Sequence, residues 1–140
     1  MIATCPHCHG QNRLPAARLT EQAKCGRCKQ AILPLRTPVS LHSESDFDEL
    51  VRDAPLPVVV DFWAAWCGPC RAVAPEVERL AGERSGRVIV AKVDTEELAG
   101  VAARYAIRSI PTMIVFRGGR EAKRILGARP ASEITRELQL

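Results

Sequence analysis

Long apolar runs are missing from this 140-residue chain. The longest flank Asp61, with Pro-Leu-Pro-Val-Val-Val before it and Phe-Trp-Ala-Ala-Trp after it. Neither approaches the roughly 18 apolar residues of a membrane span, so an integral membrane protein is excluded. The first ten residues hold two cysteines and two histidines but no apolar h-region. A secretory signal is therefore not expected, and the default location is the reducing cytoplasm. A Gly-x-Gly-x-x-Gly fingerprint is absent as well, so the chain is expected to bind neither flavin nor nicotinamide. Aromatic residues make up only 4% of the chain and none falls within residues 1–36. That segment lacks the side chains that stack on bases, which disfavours a nucleic-acid role. Disorder is excluded by what remains, 46% hydrophobic and 26% charged residues, which are globular values.

Cysteine, in contrast, is plentiful. Cys5, Cys8, Cys25, Cys28, Cys67 and Cys70 all fall in Cys-x-x-Cys pairs. In a reducing compartment such a set points to metal and redox chemistry rather than to three structural disulfides.

Charge divides the chain. Residues 1–36 carry six basic residues against Glu21 alone, a net +5, whereas residues 37–140 carry 14 basic and 15 acidic residues, a net −1. Pro34 and Pro38 bracket the change and disfavour a continuous helix there. The expected organisation is a small module over residues 1–36 and a larger domain over 37–140. The first has too few apolar residues for a core of its own and needs a metal to fold. The second is expected to keep its fold whether or not that metal is bound.

Cys5-Pro6-His7-Cys8 and Cys25-Gly26-Arg27-Cys28 are separated by 16 residues. This spacing is a zinc signature, and four thiolates make a closed, structural site. Arg13, Lys24, Arg27 and Lys29 can offset its formal −2 charge. His7 and His9 are alternative ligands that a full set of four cysteines makes unnecessary.

In the larger segment, hydrophobic periodicity alternates between strand and helix. Ser45 to Val51 reads as a short helix, with Ser45 as N-cap and Asp48 at the capping-box position. Val58 to Trp63 reads as a strand buried on both faces. From Cys67 to Glu83 the pattern is helical, with Pro75 inside it. Further strands are expected over 87–94, 112–116 and 121–127, the last two joined by a Gly118-Gly119 turn, and further helices over 96–105 and after Ser132. The class is α/β, a mixed sheet with helices on both faces.

Trp66-Cys67-Gly68-Pro69-Cys70 follows a buried strand and opens a helix. Unpaired N–H groups and the positive dipole end of the helix stabilise a thiolate there, and Cys67 is placed to feel that field and to meet solvent. Pro69 is tolerated because its missing N–H would be unpaired in the first turn anyway. Cysteines three apart can close a disulfide with little backbone motion. Asp61 lies within an apolar run, which raises its pKa. Lys92 by itself reads as an edge or snorkelling lysine, and Pro111 as a trans proline that starts a strand.

Val60-Asp61-Phe62-Trp63-Ala64-Ala65-Trp66-Cys67-Gly68-Pro69-Cys70 resembles the active-site signature of the thioredoxin family. The resemblance continues through Pro75, Val90 to Asp94, Ile110-Pro111-Thr112 and Gly127-Ala128, covering about residues 38–140. With the N-terminal tetrad the whole chain is similar to the thioredoxin 2 type. The resemblance implies a thioredoxin fold preceded by a four-cysteine zinc-finger module, and protein disulfide reductase activity. It makes Cys67 the nucleophile, Cys70 the resolving thiol, Asp61 the proton acceptor and Lys92 the partner of Asp61. It also makes the Ile110–Pro111 bond cis and gives Cys67 a shallow groove of Trp66, Gly68, Pro69, Ile110, Pro111, Gly127 and Ala128. Implied partners are disulfide-containing proteins and an NADPH-dependent thioredoxin reductase. Such a groove fits transient contacts by a monomer rather than a permanent dimer.

Overall fold

A computed structural model describes all 140 residues. A two-stranded antiparallel ribbon opens the chain, β1 (Ile2–Thr4) and β2 (Gln11–Arg13), followed by one 3₁₀ turn at Ala16–Arg18. The remaining elements are β3 (Val39–Ser40), α1 (Glu44–Asp53), β4 (Val58–Trp63), α2 (Gly68–Glu83), β5 (Ile89–Asp94), α3 (Ala99–Arg104), β6 (Thr112–Arg117), β7 (Arg120–Leu126) and α4 (Ala131–Glu137). They form a five-stranded sheet in the order β3-β5-β4-β6-β7, with β3, β5 and β4 mutually parallel and β6 and β7 added antiparallel. No helix is long and apolar enough to cross a membrane.

Side-chain alternation along the central strand assigns the two faces. Val58, Val60 and Phe62 pack with Phe47 and Leu50 of α1 and Val101 of α3. Val59 packs with Val73, Val77 and Leu80 of α2 and Ile134 of α4. Asp61 shares the parity of Val59 and so belongs to the α2 side, as does Lys92, its Cα partner on β5. The expected mixed sheet with helices on both faces is therefore observed.

Three helix starts differ from expectation, and α3 is one of them, beginning at Ala99 after a turn rather than at 96. The N-cap of α1 is Ser43, whose hydroxyl accepts from the Asp46 N–H at 3.1 Å, not Ser45. Both serines stand three residues before an acid, and starting at Ser43 brings the buried Phe47 into the first full turn. Helix α4 begins after Pro130 with no side-chain cap, so Ser132 lies inside it. Its Ala131 N–H is satisfied instead from another element, by Glu76 Oε1 of α2 at 2.9 Å.

The N-terminal segment does not stand apart. Met1, Ala3, Ala16 and Leu19 are buried in the same cluster as Phe47, Leu50 and Val60. Glu49 of α1 ties them down. One carboxylate oxygen accepts from the Met1 amino group at 2.8 Å, the other from the Ala16 N–H at 2.8 Å. The core of the larger segment is therefore extended by residues of the smaller one. Too few apolar residues to make a separate core are still enough to complete a shared one.

Candidate active site and metal centre

Strand β4 delivers the chain to the first turn of α2. Cys67 is the N-cap of that helix, in extended backbone geometry, and its Sγ accepts from the Cys70 N–H at 3.2 Å. Pro69 occupies the first turn, where no N–H is missed. Cys67 and Cys70 are joined as a disulfide with their Cα atoms 5.2 Å apart. The Cys70 N–H at the N-terminus of α2 thus points at Cys67 Sγ, the arrangement that stabilises a thiolate once the bond is reduced.

In this oxidised form Cys67 is 4% exposed and Cys70 is 3% exposed. Cys67 is thus less open than the sequence implied, because the disulfide packs on Ala64 and is flanked by Trp63 and Ile110. Around it the surface is open. Trp66 is 69% exposed, and Gly68 and Pro69 are exposed beside it. Opposite them the Ile110–Pro111 bond is cis, and the Ile110 carbonyl oxygen lies 3.7 Å from Cys67 Sγ. The Pro111 carbonyl accepts from the Gly127 N–H at 2.9 Å, which brings Gly127 and Ala128 alongside. Ile110 thus adjoins Cys67, and Gly127 adjoins Pro111, from three separate stretches of chain.

Asp61 is 1% exposed, and neither carboxylate oxygen has a hydrogen-bond partner. Burial raises its pKa to about 6, against an opposing pull from Lys92. The Lys92 ammonium itself lies over the Trp63 ring, 4.6 Å from its centroid. Asp61 shares a sheet face with α2, the helix that buries Cys70. A residue the sequence did not single out, Glu96, accepts from the Trp66 indole N–H at 3.1 Å. No motif marks it, because the contact spans 30 positions.

The second cysteine cluster lies in the N-terminal ribbon. The sulfurs of Cys5, Cys8, Cys25 and Cys28 all lie within 4.8 Å of one another. Cys5 and Cys28 are 3.6 Å apart, as are Cys8 and Cys25. A tetrahedral ion with Zn–S bonds of about 2.3 Å separates its sulfurs by about 3.8 Å, so the four residues fit such an ion. His7 and His9 are exposed and stand outside this group. The two half-sites are conformational copies. The Cys5 N–H donates to the Gly10 carbonyl and the Cys25 N–H to the Gln30 carbonyl, each at 2.8 Å. His9 and Lys29 hold matching left-handed positions, φ +62° and +65°. Those sites favour glycine or asparagine, so composition concealed them. Asn12 ties the halves together. It donates to Cys25 Sγ at 3.4 Å and accepts from the Gly26 N–H at 2.9 Å. The Cys28 backbone N–H, then Asn12, lower the Cys25 pKa to about 5. The Gln30 backbone N–H pulls Cys28 down, but burial and the neighbouring sulfurs outweigh it and push Cys28 up to about 11, so without a metal the four thiols do not all ionise together.

Comparison with known proteins bears on both sites. The family model described as Thioredoxin matches residues 38–139, and that described as Thioredoxin 2, N-terminal, matches residues 4–30. The chain is similar to thioredoxin C-3 of Corynebacterium nephridii, 39% identical over 134 residues, covering 96% of this chain and 90% of the relative. It is also similar to thioredoxin 1 of a Nostoc species, 45% identical over 97 residues, covering 69% of this chain and 91% of the relative. Among solved structures, thioredoxin from Trypanosoma brucei brucei superposes with a TM-score of 0.68 at 26% identity, covering 74% of this chain and 89% of that one. One family model thus spans well over half of the chain and the other spans the cysteine ribbon, so the chain belongs to the thioredoxin family, with a zinc-ribbon N-terminal module, and its Cys67–Cys70 pair is a thiol–disulfide exchange centre.

Proposed function

We propose that the protein is a protein disulfide reductase of the cytoplasm. The observation that carries this reading is the Cys67–Cys70 disulfide at the start of α2, facing a cis-proline wall, with an unpaired carboxylate buried on the same sheet face. The Cys67 thiolate, held by the Cys70 N–H and the field of the helix, attacks one sulfur of a client disulfide. The client S–S bond breaks, a Cys67–client disulfide forms, and one client thiolate leaves. Asp61, whose raised pKa makes it an effective acceptor near neutral pH, takes the proton of Cys70. Cys70 then attacks Cys67, the mixed disulfide breaks, and the second client thiol departs. The client gains two electrons and the pair returns to its disulfide.

Lys92 moderates Asp61 by opposing the effect of burial. Trp66, Gly68, Pro69, Ile110, Pro111, Gly127 and Ala128 form the groove in which an extended client segment lies. Two electrons from an NADPH-dependent thioredoxin reductase restore the dithiol. Cys5, Cys8, Cys25 and Cys28 hold one zinc ion, which supplies structural cross-linking and no open coordination position. In this reading residues 1–36 are the zinc module, residues 37–140 are the thioredoxin domain, and the protein acts as a monomer.

Insulin reduction driven by dithiothreitol tests the reading. Cys67→Ser should abolish turnover. With dithiothreitol removed after reduction, Cys70→Ser should accumulate a covalent client adduct that added dithiothreitol releases. Full activity in Cys67→Ser would refute the assignment.

A further inference from the structure

The turn between β7 and α4, residues 127–130, forms one wall of the proposed client groove, and the role inferred for it rests on that reading. The wall has little packing of its own. Gly127 is in the left-handed region at φ +94°, and no atom lies within 4 Å of where a Cβ would sit. Leu126, Gly127 and Ala128 are all exposed. Beneath the wall, an open cleft of about 320 Å³ separates Ala128, Arg129 and Pro130 from Ala72, Val73 and Glu76 of α2. A turn that overhangs a cleft cannot be held by side-chain packing, so polar ties must set its position.

Three such ties are present. The Gly127 N–H donates to Pro111 and the Ala131 N–H to Glu76, each at 2.9 Å. The third is Arg129. Its Nη1 donates to the Leu126 carbonyl at 2.6 Å and to the Gly127 carbonyl at 3.4 Å. Its Nε lies 2.6 Å from Glu137 Oε2 on α4, an ion-pair contact outside hydrogen-bond geometry, and the two side chains are only 28% and 34% exposed. One guanidinium therefore joins the wall to a helix, with its charge partly shielded from salt. A lysine has one point donor group on a flexible stem and cannot span carbonyl and carboxylate together.

We propose that Arg129 is a positioning residue for disulfide exchange. Anchored by Glu137, it fixes the Leu126–Gly127 carbonyls and so holds the Gly127–Ala128 wall at the separation from Ile110–Pro111 that admits an extended client polypeptide. Arg129 acts on how the client is held, not on the reacting sulfurs. Its loss therefore appears in the client concentration needed for half-maximal rate, with the limiting rate kept.

Single-turnover reduction of insulin by the reduced, metal-loaded full chain reads this split. Arg129→Ala should raise the half-saturating insulin concentration about tenfold, equivalent to about 1.4 kcal/mol. The limiting rate should stay within about twofold. Arg129→Lys should recover less than half of that loss, and Arg129→Ala combined with Glu137→Gln should be no worse than Arg129→Ala alone, because the two act as one unit. Hydrogen exchange of the Gly127 amide should quicken in Arg129→Ala. Wild-type half-saturation in Arg129→Ala, or a lower limiting rate with half-saturation unchanged, would overturn the proposal. If Arg129→Ala does not fold, Glu137→Gln carries the test, since it removes the anchor alone, and wild-type saturation there overturns it equally. A wild-type protein that fails to reduce insulin would instead refute the reductase reading itself.

Discussion

Replacing Asp61 by asparagine should make the protein more stable, and by an amount that depends on pH. In the folded chain the Asp61 carboxyl titrates at about 6 instead of 3.8, because burial disfavours its charged form. The native state thus holds this proton more tightly than the unfolded state does. Below about pH 3 both states are protonated and no charge is buried at Asp61. As pH rises through the interval between 3.8 and about 6, the unfolded chain ionises freely while the folded chain resists, and stability falls. Above that interval the full penalty applies, about 3 kcal/mol for a pKa raised this far. The asparagine side chain would be buried without hydrogen bonds too, but an unpaired amide costs less than an unpaired charge. The variant should therefore gain about 2–3 kcal/mol at pH 8, or roughly 8 °C in melting temperature for a chain of this size, and only about 0.5 kcal/mol at pH 4. Thermal unfolding of both oxidised proteins from pH 4 to pH 8 measures the difference, in which the titration of the cysteine tetrad cancels. A stability difference that does not change with pH would refute the argument, as would an Asp61→Asn variant less stable at pH 8. The same substitution should slow resolution of the mixed disulfide about a hundredfold near neutral pH, because Cys70 loses its proton acceptor.

Removing the positive charge of Lys92 should move Asp61 the other way: in Lys92→Met the midpoint of the stability titration should lie above that of the wild type, and an unmoved midpoint would show that the pair does not interact. Stripping the tetrad with a chelator should lower the melting temperature of the whole chain, since Met1 and Leu19 are fully or almost fully buried in the main core and losing both costs roughly 3–6 kcal/mol. Calorimetry that showed the main transition unmoved by chelation would argue for an independent ribbon. Ser43→Ala should cost about 1 kcal/mol by removing the α1 cap, while Ser45→Ala and Ser132→Ala should be close to neutral in urea unfolding.

Much of this protein can be read from local pattern. The strand–helix alternation follows from runs such as Val58 to Trp63 and the stripe Val73, Val77, Leu80, because a period of about 2 or 3.6 is written into neighbouring residues. The redox pair and the tetrad are equally local, each set by Cys-x-x-Cys and what surrounds it. The raised pKa of Asp61 follows from a carboxylate placed within an apolar run. Other features depend on contacts between residues far apart in the chain, and no window of sequence contains them. Glu96 meets Trp66 across a strand and a helix, and Glu76 caps a helix 55 positions away. Local pattern misplaces the α1 cap at Ser45 because Ser43 and Ser45 offer nearly the same signal, and the structure caps the helix at Ser43. The largest difference concerns the N-terminal segment. Its apolar residues, counted alone, are too few for a core, but Met1, Ala3, Ala16 and Leu19 were never going to be counted alone. Glu49 and the face of α1 receive them, and only the docked structure shows that the cysteine ribbon and the redox domain share one hydrophobic interior.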